Sequence, residues 1–487
     1  MTCRLKSLKK RNCHNRTRCG QESKIKWLLS IYWSAFFAQI SFCICIFGRF
    51  ITRFAEDSFD LRHDISLEPE RITPMSNAST QLRITGLGEE ITALARLPWH
   101  LPLEEWPEDP SLAAQRGISR HIVRLVRADE SQDSDIYAVK ETVLEFAKRE
   151  YEALRELGQR GAPSVAQVAI VDGRRTDSGE ELPCAIVTRF LPFSLPYRVL
   201  LSGSVTAHEV FNMANALAYL LVRLHLLGFW WGDCSLSNAL FRRDAEGFVA
   251  YLVDAETGEF QKKLSDGQRE HDLDIARFNV AAELEDLRLS GVLLPGMDPI
   301  RASESVIKRY RRIWSALSEP QVLPANDRHA VERAMRSLQD LGFAVEEVDL
   351  QVQGDNGTLK FTPKLVAPNY HSQRLKELMG LEVEELQAKR ILASFDRFRS
   401  REIVKTPDRG EAAQRWLKEV FYKVVNSVPA NLAGRIEDAQ FFHEVLEHRW
   451  YLGERNGHDP GLDFATADYI REILPNRLDS GAMGGKI

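Results

Sequence analysis

The strongest constraint on this chain is a single helix near its middle. Thr206-x-x-Glu209 has the spacing of a capping box. The apolar residues Val210, Met213, Ala214, Leu217, Leu220, Leu221, Leu224 and Leu227 then keep a helical period until Gly228. A stripe of that length has to be covered by the rest of the chain. Directly after it come the polar turn Trp231-Gly-Asp-Cys-Ser-Leu-Ser-Asn238 and the apolar run Phe248–Val253. That run reads as a strand buried on both faces, and Asp254 closes it.

Other elements follow from the same signals. His121–Val126 and Ile136–Val139 look like strands joined by the acidic stretch 128–135. Thr142-x-x-Glu145 forms a further capping box and Gly158 a stop, which predicts a helix over 143–157. Residues 90–115, with Pro98, Pro102, Pro107 and Pro110, read as a loop-rich lead-in. Beyond about residue 265 the pattern is mostly helical. It is interrupted by the alternation Val348, Leu350, Val352, which Asn356-Gly357 turns into Leu359 and Phe361, a hairpin signal. No internal repeat or low-complexity tract is visible.

Composition excludes some classes. With 44% apolar and 27% charged residues, the 487-residue chain is neither disordered nor fibrous. A net charge of −5 argues against a surface built for nucleic acid, so none is expected as a partner. The charge is unevenly spread: residues 1–26 hold nine basic residues and one acid, +8, which leaves −13 for the other 461. Five of seven cysteines lie in the first 45 residues, and no C-x-x-C pair supports a zinc or dithiol site. The sparse cysteines of the main body fit a reducing compartment.

Trp27–Gly48 is 22 residues without a charge, long enough to span a bilayer as a helix. Read as a membrane segment with its basic flank held inside, it would export everything downstream. That conflicts with the ATP chemistry argued below. Two readings stay open: residues 1–74 include a single-span membrane anchor for a cytoplasmic body, or they precede a true start at Met75. Asn77 and Asn356 open N-x-S/T triplets that matter only for an exported chain.

Five polar positions carry chemistry. Lys140 ends the strand Ile136-Tyr-Ala-Val-Lys, where an apolar residue is the default. Glu150 lies on the next helix, four residues from both Phe146 and Leu154, in the middle of its apolar stripe, while Lys148, Glu152 and Arg155 face away. A carboxylate there needs a cation, and Lys140 is the natural candidate. Asp233 and Asn238 frame the polar turn, and Asp254 follows sixteen residues later at a strand end. Lys, Glu, Asp-x4-Asn and a strand-closing Asp, in that order, are the parts of a protein-kinase-like phosphotransferase.

The stretch G-D-C-S-L-S-N-A-L-F resembles the catalytic loop of atypical kinases: the RIO kinases, the aminoglycoside phosphotransferases and the lipopolysaccharide (Kdo/heptose) kinases. Y-A-V-K with K-R-E-Y-E-A-L resembles their third strand and following helix, L-V-D-A-E their metal-binding Asp, and T-R-F-L-P their adenine hinge. The likeness covers about 115–285. The whole body, with the tail L-E-H-R-W-Y-L-G-E-R-N-G-H-D-P-G, resembles an actinobacterial lipopolysaccharide-kinase-like family with a C-terminal domain of unknown function.

The resemblance implies an α+β chain in which a two-lobed protein-kinase-like fold precedes a smaller, mostly helical accessory domain. The expected boundaries are a lead-in over 75–114, a small lobe over 115–190, a large lobe over 191–320, an accessory domain over 325–475 and a tail over 476–487. It implies ATP and Mg²⁺ as cofactors and a hydroxyl-bearing acceptor, with a lean toward a saccharide or glycolipid. Lys140 would neutralise the α/β-phosphates, held by Glu150. Asp233 would take or orient the acceptor proton, and Asn238 and Asp254 would offer oxygens to Mg²⁺. Arg189 and Phe190 fall at the hinge, and Gly117-Ile-Ser119 is the one candidate phosphate loop, with no G-x-G-x-x-G before Lys140.

Trp231 stands where the family has His, which removes that side chain's hydrogen bond to the metal-Asp loop, since an indole can donate but not accept. This departure motivates a second reading: a nucleotide-binding pseudokinase whose C-terminal domain recruits a protein partner. A third is a membrane-anchored scaffold.

Weaker signals remain. His443 and His448 are five apart, the wrong spacing for a zinc pair on one helix face, and read as satisfied surface histidines. Gly481–Lys486 lacks the phosphate-loop spacing. Lys308, Arg309, Arg311 and Arg312 form a basic helix face opposite Ile307, Tyr310, Trp314 and Leu317, read as solvated. Cys234 reads as a packing residue; partly exposed, its thiol would make the site oxidation-sensitive.

Overall fold

The computed structural model describes residues 81–477 apart from 87, 89, 108–121, 128–134, 202–205, 294–296, 325–326, 328, 354–357 and 403–407. All of these belong to the compact unit Ser79–Ile487. Trp27–Gly48, Met75, Asn77, Gly117, Ser119 and Asn356-Gly357 lie outside the described residues. Among the described residues, no helix is long and apolar enough to cross a membrane.

The chain is α+β. Its first part is built on a five-stranded antiparallel sheet in the order β1-β4-β5-β3-β2. The strands are β1 (Arg83–Gly86), β2 (Val123–Arg127), β3 (Ile136–Thr142), β4 (Gln167–Asp172) and β5 (Cys184–Arg189). Helices α1 (Glu90–Leu94) and α2 (Leu144–Gln159) accompany it.

The lead-in is more than loop. β1 pairs with β4, and Leu94, Trp99, Leu103 and Trp106 bury themselves on one face of the sheet against Tyr137, Val139, Val168 and Val187. A buried Arg174 fastens this layer. Its guanidinium donates to Leu101 O at 2.7 Å, Pro183 O at 3.0 Å and Glu141 Oε1 at 2.7 Å. With an aromatic cluster to bury and a cation to satisfy its carbonyls, a proline-rich segment can pack as part of the core.

The opposite face of the sheet carries α2, and here two local expectations give way to tertiary structure. Thr142 remains in β3, paired with Cys184, so α2 begins after Val143 with no side-chain cap. The helix also runs through Gly158 and stops only near Gly161, whose φ of +69° is the left-handed turn. Its buried stripe is Ala147, Glu150, Leu154 and Leu157, while Phe146 is exposed.

The second part surrounds the long helix that follows Thr206. After β6 (Ser194–Pro196) and the short α3 (Tyr197–Leu200), α4 (Ala207–Leu226) starts from the Thr206/Glu209 capping box and ends at Gly228, φ +79°. Then come β7 (Phe229–Trp230), the hairpin β8 (Ala239–Asp244) and β9 (Gly247–Leu252), β10 (Glu259–Phe260), α5 (Asp266–Leu289) and α6 (Pro299–Ser318). The β6-β8-β9 sheet is antiparallel, and β9 alternates buried and half-buried residues. The Phe248–Val253 run is therefore a one-sided strand, because only one face of the hairpin packs on the core beneath it.

β11 (Gln321–Pro324), α7 (Ala330–Asp340) and the long hairpin β12 (Phe343–Gln353)–β13 (Thr358–Pro368) follow. Phe343, Phe361, Ala334 and Leu338 share the core built on α4. A separate core begins at Leu375. It is formed by α8 (Tyr370–Met379), α9 (Glu385–Glu402), α10 (Arg409–Trp416), a π-helical turn at Leu417–Phe421, α11 (Tyr422–Val425), α12 (Asp438–Asn456) and α13 (Leu462–Glu472).

Candidate active site

Lys140 lies on the cleft face of β3, on the same side as Ile136 and Ala138 by strand alternation. Its Nζ is 2.7 Å from Glu150 Oε2 on α2, 3.2 Å from Asp254 Oδ2 after β9 and 3.4 Å from Glu256 Oε2. Residues 114 apart in sequence thus meet at one ammonium. Burial alone would lower the Lys140 pKa, but the surrounding carboxylates outweigh it and the net direction is up, so the side chain stays charged. Burial pushes the Glu150 carboxyl above the usual carboxylate range, against the pull of Lys140.

Asp233 is aimed by its turn and held by two amides. Gly232 adopts φ +78°, and an added Cβ there would meet Thr257 O at 3.3 Å, so the turn into Asp233 needs glycine. Asn238 Nδ2 donates to Asp233 Oδ2 at 3.0 Å and to Asp233 O at 3.0 Å. Asn279 Nδ2 donates to Asp233 Oδ1 at 3.2 Å and to Cys234 O at 3.2 Å.

The helix α5, expected from the pattern beyond residue 265, holds this loop through residues that the motifs did not mark. Asp272, Asn279 and Glu283 form a polar stripe on α5, and each grips a successive part of 231–237. Asp272, fully buried, accepts from Trp231 N and Gly232 N, both at 2.9 Å. Asn279 reaches Asp233 and Cys234. Glu283 accepts from Leu236 N at 2.8 Å and Ser237 N at 3.0 Å. His225, at the end of α4, completes the anchor by bridging Asp272 at 3.0 Å and Tyr310 OH at 2.7 Å. Polar residues at seven- and four-residue spacing beside an apolar stripe were the available signal.

Trp231 corrects an expectation. Its indole Nε1 donates to Asp254 O at 3.1 Å, so the link to the Asp254 loop is present, with a carbonyl rather than a side chain as acceptor. Cys234 is fully buried, and burial raises its thiol pKa well above the usual value, so the partly exposed, oxidisable thiol is absent here. At the hinge, Arg189 is tied to Glu90, with Asp135 at 3.9 Å. The Phe190 N–H donates to Ile136 O at 2.9 Å, and Phe190 packs with Ile136 and Leu125.

Elsewhere, His448 meets Asp468 at 2.8 Å, whereas His443 is buried, its Nε2 4.0 Å from Glu246 Oε2 and without a hydrogen bond among the described residues, so it is not a surface histidine. Arg311 on the basic face of α6 pairs with Glu270 at 2.8 Å.

The donor set fits a hard divalent cation. Asp254 and Glu256 offer carboxylate oxygens, and Asn238 commits its amide nitrogen to Asp233, which leaves its oxygen for a ligand; the Glu150 carboxylate of the same cluster is taken by Lys140.

Comparison with known proteins gives three findings. Residues 312–474, about a third of the chain, match a family described as a domain of unknown function (DUF4032). No curated protein is significantly similar in sequence. Among solved structures, WaaP in complex with acyl carrier protein is similar to 53% of this chain and 99% of its own, at 18% identity and a TM-score of 0.30.

Proposed function

We propose that this chain is an ATP- and Mg²⁺-dependent phosphotransferase that moves the ATP γ-phosphoryl group to a hydroxyl acceptor. One observation carries the reading: Lys140, Glu150 and Asp254 meet at one ammonium, and Asp233 has each of its carboxylate oxygens held by an amide. Positioning and charge neutralisation are most of what this reaction needs.

In the proposed reaction Lys140 binds the α/β-phosphates and Glu150 keeps it extended into the cleft. Leu125, Ala138 and the Phe190 ring offer the adenine an apolar surface on the same side of the sheet. Asp233 accepts the acceptor's hydroxyl proton. The freed oxygen bonds to the γ-phosphorus while the bond from that phosphorus to the β–γ bridging oxygen breaks, and ADP leaves with the electron pair. Asn238 and Asp254 would hold Mg²⁺, which supplies neutralisation of phosphate charge.

The resemblance extends the proposal to a saccharide or glycolipid acceptor. A reaction that uses ATP supports a cytoplasmic body, with residues 27–48 as a single-span membrane anchor. The pseudokinase reading drew on Trp231, and the indole bond to Asp254 O removes that motive.

Asp254→Asn should abolish Mg·ATP turnover while the thermal melt of the protein stays within about 2 °C, the scale of a sub-kcal change in a protein of this size. Unchanged turnover would sink the assignment. Mg·ATP binding without turnover in the wild type would favour the pseudokinase.

A further inference from the structure

Beside the second core lies an open pocket of about 940 Å³ that the phosphotransfer reading does not use. It lies among α9, α10, α12 and the loop before α13. Small-molecule sites commonly fall in the range of roughly 300–1,000 Å³.

Three features mark it as built. The π-helical turn Leu417–Phe421 follows Trp416 and carries Val420, and both residues line the pocket; such turns recur at functional sites. Trp416 is fully buried and wedged against Phe421 and Phe442, which fixes the wall it contributes to the pocket. The far wall is braced in advance, because Arg449 Nε donates to Asp459 Oδ1 at 2.7 Å and Gly461 N to the same oxygen at 3.0 Å.

The lining identifies the ligand chemistry. Two cations, Arg397 and Arg449, are balanced by two acids, Glu454 and Asp459, so nothing favours a strongly charged ligand. Charges on the wall equally disfavour a lipid tail. Trp450, 59% exposed, adds an aromatic ring to the lining. An aromatic face beside planar, multiply hydrogen-bonding guanidinium and carboxylate groups suits a ring with an apolar C–H face and an equatorial rim of hydroxyls.

We propose that this pocket is a binding site for a neutral saccharide ring, stacked on Trp450 and rimmed by Arg397, Glu454 and Asp459. The site is distinct from the Lys140 cleft and does not depend on the phosphotransfer reading.

The test is saturation-transfer NMR and calorimetry on the full chain with D-glucose, D-galactose, D-mannose and N-acetyl-D-glucosamine, alongside glucose 6-phosphate and an apolar fluorescent dye. At least one neutral sugar should bind saturably, with affinity changed less than about twofold between low and high salt, as expected for an uncharged ligand. Trp450→Ala, at an exposed position that leaves the core intact, should weaken binding about tenfold, the scale of one aromatic stack. The proposal is overturned by no saturable binding of any neutral sugar, by binding that Trp450→Ala leaves unchanged, or by binding confined to the phosphorylated sugar or the dye.

Discussion

Asp244 accepts the backbone N–H of Gln387 at 2.7 Å, across 143 residues of sequence. It also accepts from Leu386 N at 2.9 Å, so a residue of the β8–β9 turn caps the N-terminus of α9 in the second core. The next residue, Ala245, sits at φ +53°, an unfavourable value for alanine, and Gln440 of α12 holds it by accepting from its N–H at 2.9 Å and donating to its carbonyl at 3.0 Å. The other end of the same hairpin carries Asn238 and Asp254. The second core therefore fixes the tip of the element that delivers both proposed cation ligands.

Asp244→Ala should leave the two N–H groups of α9 buried and unpaired, at a cost of about 1–3 kcal/mol. The expected result is a lower denaturation midpoint together with reduced Mg·ATP turnover. An unchanged midpoint would show that the cap is energetically idle.

Lys140→Met should cost stability as well as activity, because it strands a Glu150 carboxylate that is 1% exposed. Breaking a buried pair from one side costs about 3–5 kcal/mol, whereas replacing both partners by apolar residues is often neutral. Lys140→Met/Glu150→Leu should therefore recover the melting temperature while remaining inactive. Recovery of turnover in the double variant would remove Lys140 from the reaction.

Trp231→Phe deletes the donor to Asp254 O while keeping most of the buried ring. One neutral hydrogen bond of about 0.5–1.5 kcal/mol corresponds to a roughly two- to tenfold weaker Mg·ATP affinity, readable by calorimetry. Equal affinity would mean that the Asp254 loop holds its place without the indole.

Glu385 accepts from His371 N at 2.9 Å and Ser372 N at 3.0 Å at the start of α8, and burial raises its carboxyl from 4.5 to about 7. With the folded value above the unfolded one, the native state holds the proton more tightly. The stability this contributes is complete below pH 4.5 and is lost as pH rises through about 7. Glu385→Gln should flatten the pH dependence of the melting midpoint between pH 5 and 8. A slope identical to the wild type would assign the titration to another group.

The sequence alone determined the elements whose signals are local. Thr206, Glu209 and Gly228 bound α4 because a capping box and a left-handed stop act within one turn of the backbone. Lys140, Asp233, Asn238 and Asp254 stood out because each breaks a local rule, and residues kept against local preference mark sites. Tertiary structure decided what depends on partners far along the chain. Thr142 had the letters of a cap but joined a strand, since pairing with Cys184 won. Asp244 and Glu385 cap helices that begin 141 residues after the one and 15 residues before the other. Asn279 and Glu283 matter because α5 lies along the loop 231–237, and neighbourhood between segments is set by packing of the whole core, which no local window contains.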